Sequence, residues 1–181
     1  MLRIVGIVVL VFVVAVAGLL AYAATRPDDF RVQRSIAIKA PPDKVMGLVG
    51  DLRGWTAWSP YEKKDPAMKR SYSGAPVGKG AVYEWDGNKD VGRGRMEILE
   101  ATPSKVTLKL DFMTPFEAHN TAEFTAVPRG DSTNVTTNVT WAMYGPSPFM
   151  AKVIQTVIDM DKMIGTDFEA GLQSLKAVAE K

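Results

Sequence analysis

The chain has 181 residues, 46% of them hydrophobic and 23% charged, with a formal net charge of +2. It contains no cysteine and a single histidine, which excludes disulfides, thiolate catalysis, cysteine zinc sites, iron–sulfur clusters and a histidine-rich metal centre. Lysines and arginines are dispersed, so the electrostatic footprint of a nucleic-acid binder is missing.

The first element is an uncharged run, Ile4 to Ala24, rich in Val, Leu and Ile. At 1.5 Å per residue it reaches about 30 Å, the thickness of a bilayer's hydrocarbon core. Residues 1–24 therefore read as a transmembrane anchor, making the protein single-pass. A cleaved signal peptide is the alternative, because Ala21-Tyr22-Ala23 has the small-x-small form of a cleavage site. Charge counting, with Arg26, Arg31 and Arg34 after the run, would keep the domain in the cytoplasm. Large domains cross largely regardless of charge, and the extracytoplasmic side is preferred here. Residues 25–29 form a short linker, and 30–181 one domain.

Phe30, Val32, Ile36 and Ile38 alternate with polar residues, predicting a half-buried first strand that Pro41-Pro42 stops. A short helical pair follows to about Pro60, placing Trp55 and Trp58 on one face. Six more alternating segments come next, centred on Arg70, Tyr83, Met96, Leu108, Ala122 and Val139. Their turns lie at Ser73-Gly74-Ala75-Pro76, Asp86-Gly87-Asn88, Thr102-Pro103-Ser104, Thr114-Pro115 and Arg129-Gly130-Asp131-Ser132. Links this short make the sheet antiparallel. A stripe from Phe149 through Val153, Val157, Met160, Ile164, Phe168 and Leu172 to Leu175 predicts one long helix from about Ser147 to Ala179. The class is α+β: a curved antiparallel seven-stranded sheet gripping a long C-terminal helix, preceded by one transmembrane helix.

Residues 30 to 178 resemble the SRPBCC superfamily of START lipid-transfer domains, polyketide cyclases and pollen-allergen-like binders, which share the helix-grip fold. The resemblance to its polyketide cyclase/dehydrase and lipid-transport branch rests on Trp55-Thr56-Ala57-Trp58-Ser59-Pro60-Tyr61, Asp65-Pro66, Tyr72-Ser73-Gly74, Gly78-Lys79-Gly80 and Tyr83-Glu84-Trp85-Asp86-Gly87-Asn88. It implies a cavity between the concave sheet and the long helix. By alternation, Tyr83, Trp85, Met96, Ile98, Leu110, Phe112, Asn120, Phe124 and Trp141 should line it. Val157, Met160, Ile164 and Phe168 should roof it. Gly92 and Gly94 on that face either leave room for a guest or bend the sheet.

The implied ligand is a lipid or other hydrophobic small molecule, bound near the membrane, with no cofactor and no metal, and the sequence names no partner protein either way. An enzyme of the cyclase or dehydratase kind is the alternative. For it, Asp161 at the margin of the apolar stripe, its pKa raised by burial, and Tyr83 are the candidate acid/base groups. His119 alternates onto the polar face and reads as a surface residue.

Overall fold

A computed structural model describes residues 2–129 and 135–181. The turn expected at Arg129–Ser132 falls, from residue 130, outside the described residues. The chain divides into two compact units, one formed by the residues up to Phe30 with Pro146–Met160, the other by Arg31–Gly145 with Asp161–Lys181.

In the first unit, helix α1 (Leu2–Ala24) carries the apolar run, long and apolar enough to cross a membrane. A nine-residue helix from the C-terminal half of the chain, Phe149–Val157, contacts it.

The second unit is built on seven strands: β1 (Asp29–Ile38), β2 (Lys69–Gly74), β3 (Ala81–Asp86), β4 (Arg93–Thr102), β5 (Lys105–Thr114), β6 (Ala118–Arg129) and β7 (Thr136–Pro146). They lie in the order β1-β7-β6-β5-β4-β3-β2. Every link from β2 to β7 joins sheet neighbours, the meander that short turns dictate, and β1 closes on the far side of β7. Directly opposed residues share a face, so the register Tyr72–Tyr83, Tyr83–Met96, Met96–Leu110 and Leu110–Asn120 draws one continuous row across the concave surface. Phe124 opposite Trp141 extends the apolar face towards β7.

Between β1 and β2 the chain forms α2 (Pro42–Gly50), a 3₁₀ turn (Leu52–Ala57) and α3 (Pro60–Lys64). Pro42 and Pro60 each open a helix, where a missing N–H costs nothing. Val45, Met46 and Val49 bury the inner side of α2.

The C-terminal rod departs from the expectation. It is two helices, α4 (Phe149–Val157) and α5 (Met160–Ala179), parted at Ile158, whose backbone is extended at φ −116° and ψ 124°. The apolar spacing runs straight through the break, which is why periodicity alone does not reveal it. Asp159, a residue type favoured ahead of a helix, immediately precedes α5. Along α5, Ile164, Phe168, Leu172 and Leu175 are buried, as the stripe requires.

Candidate binding site

The inner face of the sheet meets α5 through an aromatic cluster. Trp141 on β7 stacks on Phe168 of α5 with ring centroids 4.1 Å apart and planes 10° from parallel. Phe124 on β6 stacks against the same indole at 4.8 Å. Trp55 and Trp58, 4.7 Å apart, close the cluster from the 3₁₀ turn, and Trp58 stands edge-on to both Phe124 and Trp141 at 5.9 Å. Gly171 allows this approach, because a Cβ there would lie 2.7 Å from the Trp141 ring and 2.9 Å from Pro60.

Two indole N–H groups enter this apolar region and meet different fates. Trp55 Nε1 donates to the carbonyl of Val49 at 2.9 Å. Trp58 is 0% exposed, and its Nε1 is the one buried side-chain nitrogen or oxygen among the described residues with no hydrogen-bond partner. A buried donor left unmatched costs about 1–3 kcal/mol, so an acceptor delivered to it would be rewarded.

Tyr83 on β3, Glu62 on α3 and Arg70 on β2 form a polar triad that local spacing does not announce. The Tyr83 hydroxyl donates to Glu62 Oε1 at 2.7 Å, and Arg70 holds Glu62 Oε2 at 2.7 Å. Burial first, then the Glu62 hydrogen bond and charge, push the Tyr83 phenol far above its ordinary range and keep it protonated. Tyr72 stacks on Tyr83 at 5.1 Å, and the Arg53 guanidinium sits 4.5 Å above Tyr72. Glu62 lies between Tyr61 and Lys63-Lys64 on a five-residue helix, a context that resembles a solvated charged run. Its partners come from 8 and 21 residues away, so no local spacing announces it.

Of the expected lining, Tyr83, Trp85, Met96, Ile98, Phe124 and Trp141 are buried, and Leu110, Phe112 and Asn120 are half-buried. Ile164 and Phe168 are buried on α5. Val157, expected on the roof, is instead 75% exposed, and both it and Met160 belong to the other compact unit. Gly94 leaves no room for a guest, since a Cβ there would stand 2.4 Å from the Trp85 ring, which fills the space. Gly92, at φ +63° and with the Thr114 carbonyl 2.3 Å from where a Cβ would be, serves the turn into β4.

The clefts of the described residues include two of about 170 and 280 Å³. The first is bordered by Arg53, Tyr72, Gly74 and Val82, the second by Arg70, Glu84, Asp86 and Arg93, and neither opens between the sheet and α5. Where the sheet meets α5, the rings of Trp58, Phe124, Trp141 and Phe168 pack against one another.

Asp161 is neither buried nor raised in pKa. Its side chain is 62% exposed and pairs with Arg34 Nη2 at 2.9 Å. The Arg34 hydrogen bond, opposed by burial and assisted by the Arg34 charge, holds its carboxyl below the ordinary carboxylate range, the reverse of what a proton donor needs. His119 lies on the exposed side as expected, with Nδ1 2.7 Å from Asp111. No group of three or more histidine or carboxylate side chains suited to a metal occurs among the described residues.

A seven-stranded antiparallel sheet closing on a C-terminal helix over an apolar face defines a helix-grip protein. A sequence profile for the family described as polyketide cyclase / dehydrase and lipid transport matches residues 29–180, and the chain belongs to that family. Solved structures agree on the fold. A Thermobifida fusca protein solved by solution NMR is 22% identical, with a TM-score of 0.57 over 81% of this chain and 90% of its own. The ginseng (Panax ginseng) major latex-like protein 151 is 14% identical, with a TM-score of 0.57 over 86% of this chain and 100% of its own. The di-domain ARO/CYC BexL is 16% identical at a TM-score of 0.58, over 89% of this chain and 53% of its own. No curated protein sequence gives a match.

Proposed function

We propose that the chain binds an apolar small molecule bearing a hydrogen-bond acceptor, of the lipid or polyketide kind, between β6–β7 and α5, while α1 holds it in a membrane with the domain on the extracytoplasmic side. The observation that carries this reading is the sealed, unpartnered Trp58 Nε1 within an otherwise aromatic interior. The guest supplies the missing acceptor and replaces ring–ring contacts, each worth about 0.5–1.5 kcal/mol beyond its area, with contacts of its own. The family's link to lipid transport and the apolar α1, which keeps the site beside a reservoir of such molecules, support it.

The test uses the full chain in lipid nanodiscs, titrated with palmitic acid and with hexadecane. Palmitic acid should shift tryptophan emission and survive in native mass spectra, and Trp58→Phe should weaken its binding about tenfold, equivalent to about 1.4 kcal/mol. Equal behaviour of acid and hydrocarbon, or no response to either, overturns the reading. Protease protection in intact cells decides the side of the membrane: cleavage of the domain from outside supports the orientation and full protection refutes it.

A second reading, cyclase- or dehydratase-like acid/base chemistry, is favoured by one observation, the Tyr83–Glu62 contact at 2.7 Å in a buried setting. It requires Tyr83→Phe to abolish turnover of a polyketide substrate, and unchanged turnover removes it.

A further inference from the structure

Helix α4 is amphipathic in the reverse sense from a helix of a water-soluble surface. Phe149, Met150, Val153, Ile154 and Val157 fall within one 140° sector at 100° per residue. Met150 is 67% exposed and Val157 75% exposed, while Lys152, the helix's only charged residue, is 7% exposed and faces away from that sector. The Lys152 ammonium is engaged by Asp28 Oδ1 at 2.5 Å, and Gln155 turns inward to Ser147 Oγ at 3.0 Å. In water, exposing Met and Val while burying Lys is the unfavourable way round, whereas against hydrocarbon it is the favoured one.

The position of α4 along the chain's first unit points the same way. The Ser147 N–H donates to the Asp28 carbonyl at 2.7 Å, so both anchoring contacts of α4 fall four residues beyond the end of α1. Tyr22 and Arg26, with the guanidinium 5.9 Å from the ring, mark that end with the aromatic and basic pair favoured at a headgroup boundary. α1 and α4 touch, and the positions of α1 that are partly covered, Val16, Leu19 and Leu20 at 38–40% exposure against 54–68% from Ile4 to Val14, recur on one face with the fully buried Ala23. The apolar surface of α4 is thus continuous with that of the last two turns of α1.

We infer that α4 is a second lipid-contacting element, lying at the acyl–headgroup boundary of the bilayer that α1 crosses, with Phe149, Met150 and Val157 in lipid and the Lys152–Asp28 pair as its fastening to the anchor. The inference rests on α1 being retained in the membrane.

Because the chain has no cysteine, single-cysteine variants Met150→Cys, Val157→Cys, Leu10→Cys and Lys89→Cys carry one environment-sensitive NBD label each. The labelled full chains are placed in vesicles of phosphatidylcholine and phosphatidylglycerol containing lipids with nitroxides at shallow or deep acyl positions. Labels at 150 and 157 should emit at shorter wavelength than the aqueous reference at 89, and shallow nitroxide should quench them at least threefold more than that reference. The label at 10 should be quenched by the deep nitroxide. Quenching at 10 without quenching at 150 and 157 overturns the role of α4 and leaves the anchor standing. Absence of quenching at 10 overturns both. Loss of quenching at 150 and 157 as the protein-to-lipid ratio rises assigns the face to a second copy of the chain, which also overturns the inference.

Discussion

The indole of Trp141 and the ring of Phe168 lie nearly parallel with centroids 4.1 Å apart, and through this contact the last helix is fixed to the last strand. Phe168 is 1% exposed, so its truncation removes both the stack and a fully buried ring. Phe168→Ala should cost about 3–5 kcal/mol, as large-to-small changes of buried aromatics do. All four tryptophans lie between residues 55 and 141, so their emission during urea unfolding of the full chain in nanodiscs reports this unit. The same variant should admit a benzene-sized probe into the vacated space, and xenon or benzene uptake measured by NMR checks this.

Gly171 makes a complementary prediction about shape. The atoms facing it are the Trp141 ring and the Pro60 ring, neither of which can swing aside as the end of a flexible chain would. Gly171→Ala should therefore lose about 1–3 kcal/mol by overpacking, despite alanine's higher helix propensity. A variant as stable as the original would show that α5 sits further from the sheet.

The triad of Tyr83, Glu62 and Arg70 is a buried polar arrangement in which both carboxylate oxygens of Glu62 are matched. Tyr83→Phe leaves Glu62 one donor short and should cost about 1 kcal/mol. Glu62→Ala leaves the phenol without its acceptor and removes one of the partners of the guanidinium, which still reaches the Pro66 and Met68 carbonyls. Because the Arg70 side chain retains some access to water, the cost should be about 1–3 kcal/mol, below that of a fully sealed pair. In the double variant the two losses should fall short of additivity by about 0.5–1.5 kcal/mol, and additive losses would show that the phenol and carboxylate do not interact.

The strands were legible because alternation is a property of each segment taken alone: the inward residues Tyr83, Met96, Ile98 and Phe124 are buried as their spacing requires. The rod's division at Ile158 was not, since Val153, Val157, Met160 and Ile164 keep helical spacing on both sides of the break. Periodicity says which side of a helix is apolar and nothing about what covers it, so Val157 reads as a roof residue although it is exposed. The setting of Asp161 is illegible for the same reason. Its place at the stripe's margin is local, whereas the Arg34 that claims it lies 127 residues earlier. The aromatic cluster is equally hidden, because Trp55 and Trp58 reach Phe124 and Trp141 only through the tertiary fold.

The pair His119 and Asp111 gives a pH dependence whose sign follows from its geometry. Contact with the Asp111 carboxylate at 2.7 Å is the main cause that raises the imidazole above its ordinary 6.5, with slight burial opposing and the Asp111 and Glu117 charges assisting. For Asp111, burial acts upward but is outweighed by the hydrogen bonds from His119 and Lys109, and its pKa is lowered. A raised histidine contributes stability that is complete below about 6.5 and fades as pH rises through the higher folded value. A lowered aspartate contributes above its unfolded value and loses that contribution as pH falls through the lower folded one. The pair is therefore fully engaged only between the two, in mildly acidic solution. An NMR titration of the His119 Hε1 resonance should find its midpoint above 6.5. Asp111→Asn should return it towards that value, and Glu117→Gln, which alters a contact 3.4 Å away from Nε2, should move it less. A midpoint indifferent to Asp111→Asn would mean that the two side chains on neighbouring β5 and β6 do not meet in solution.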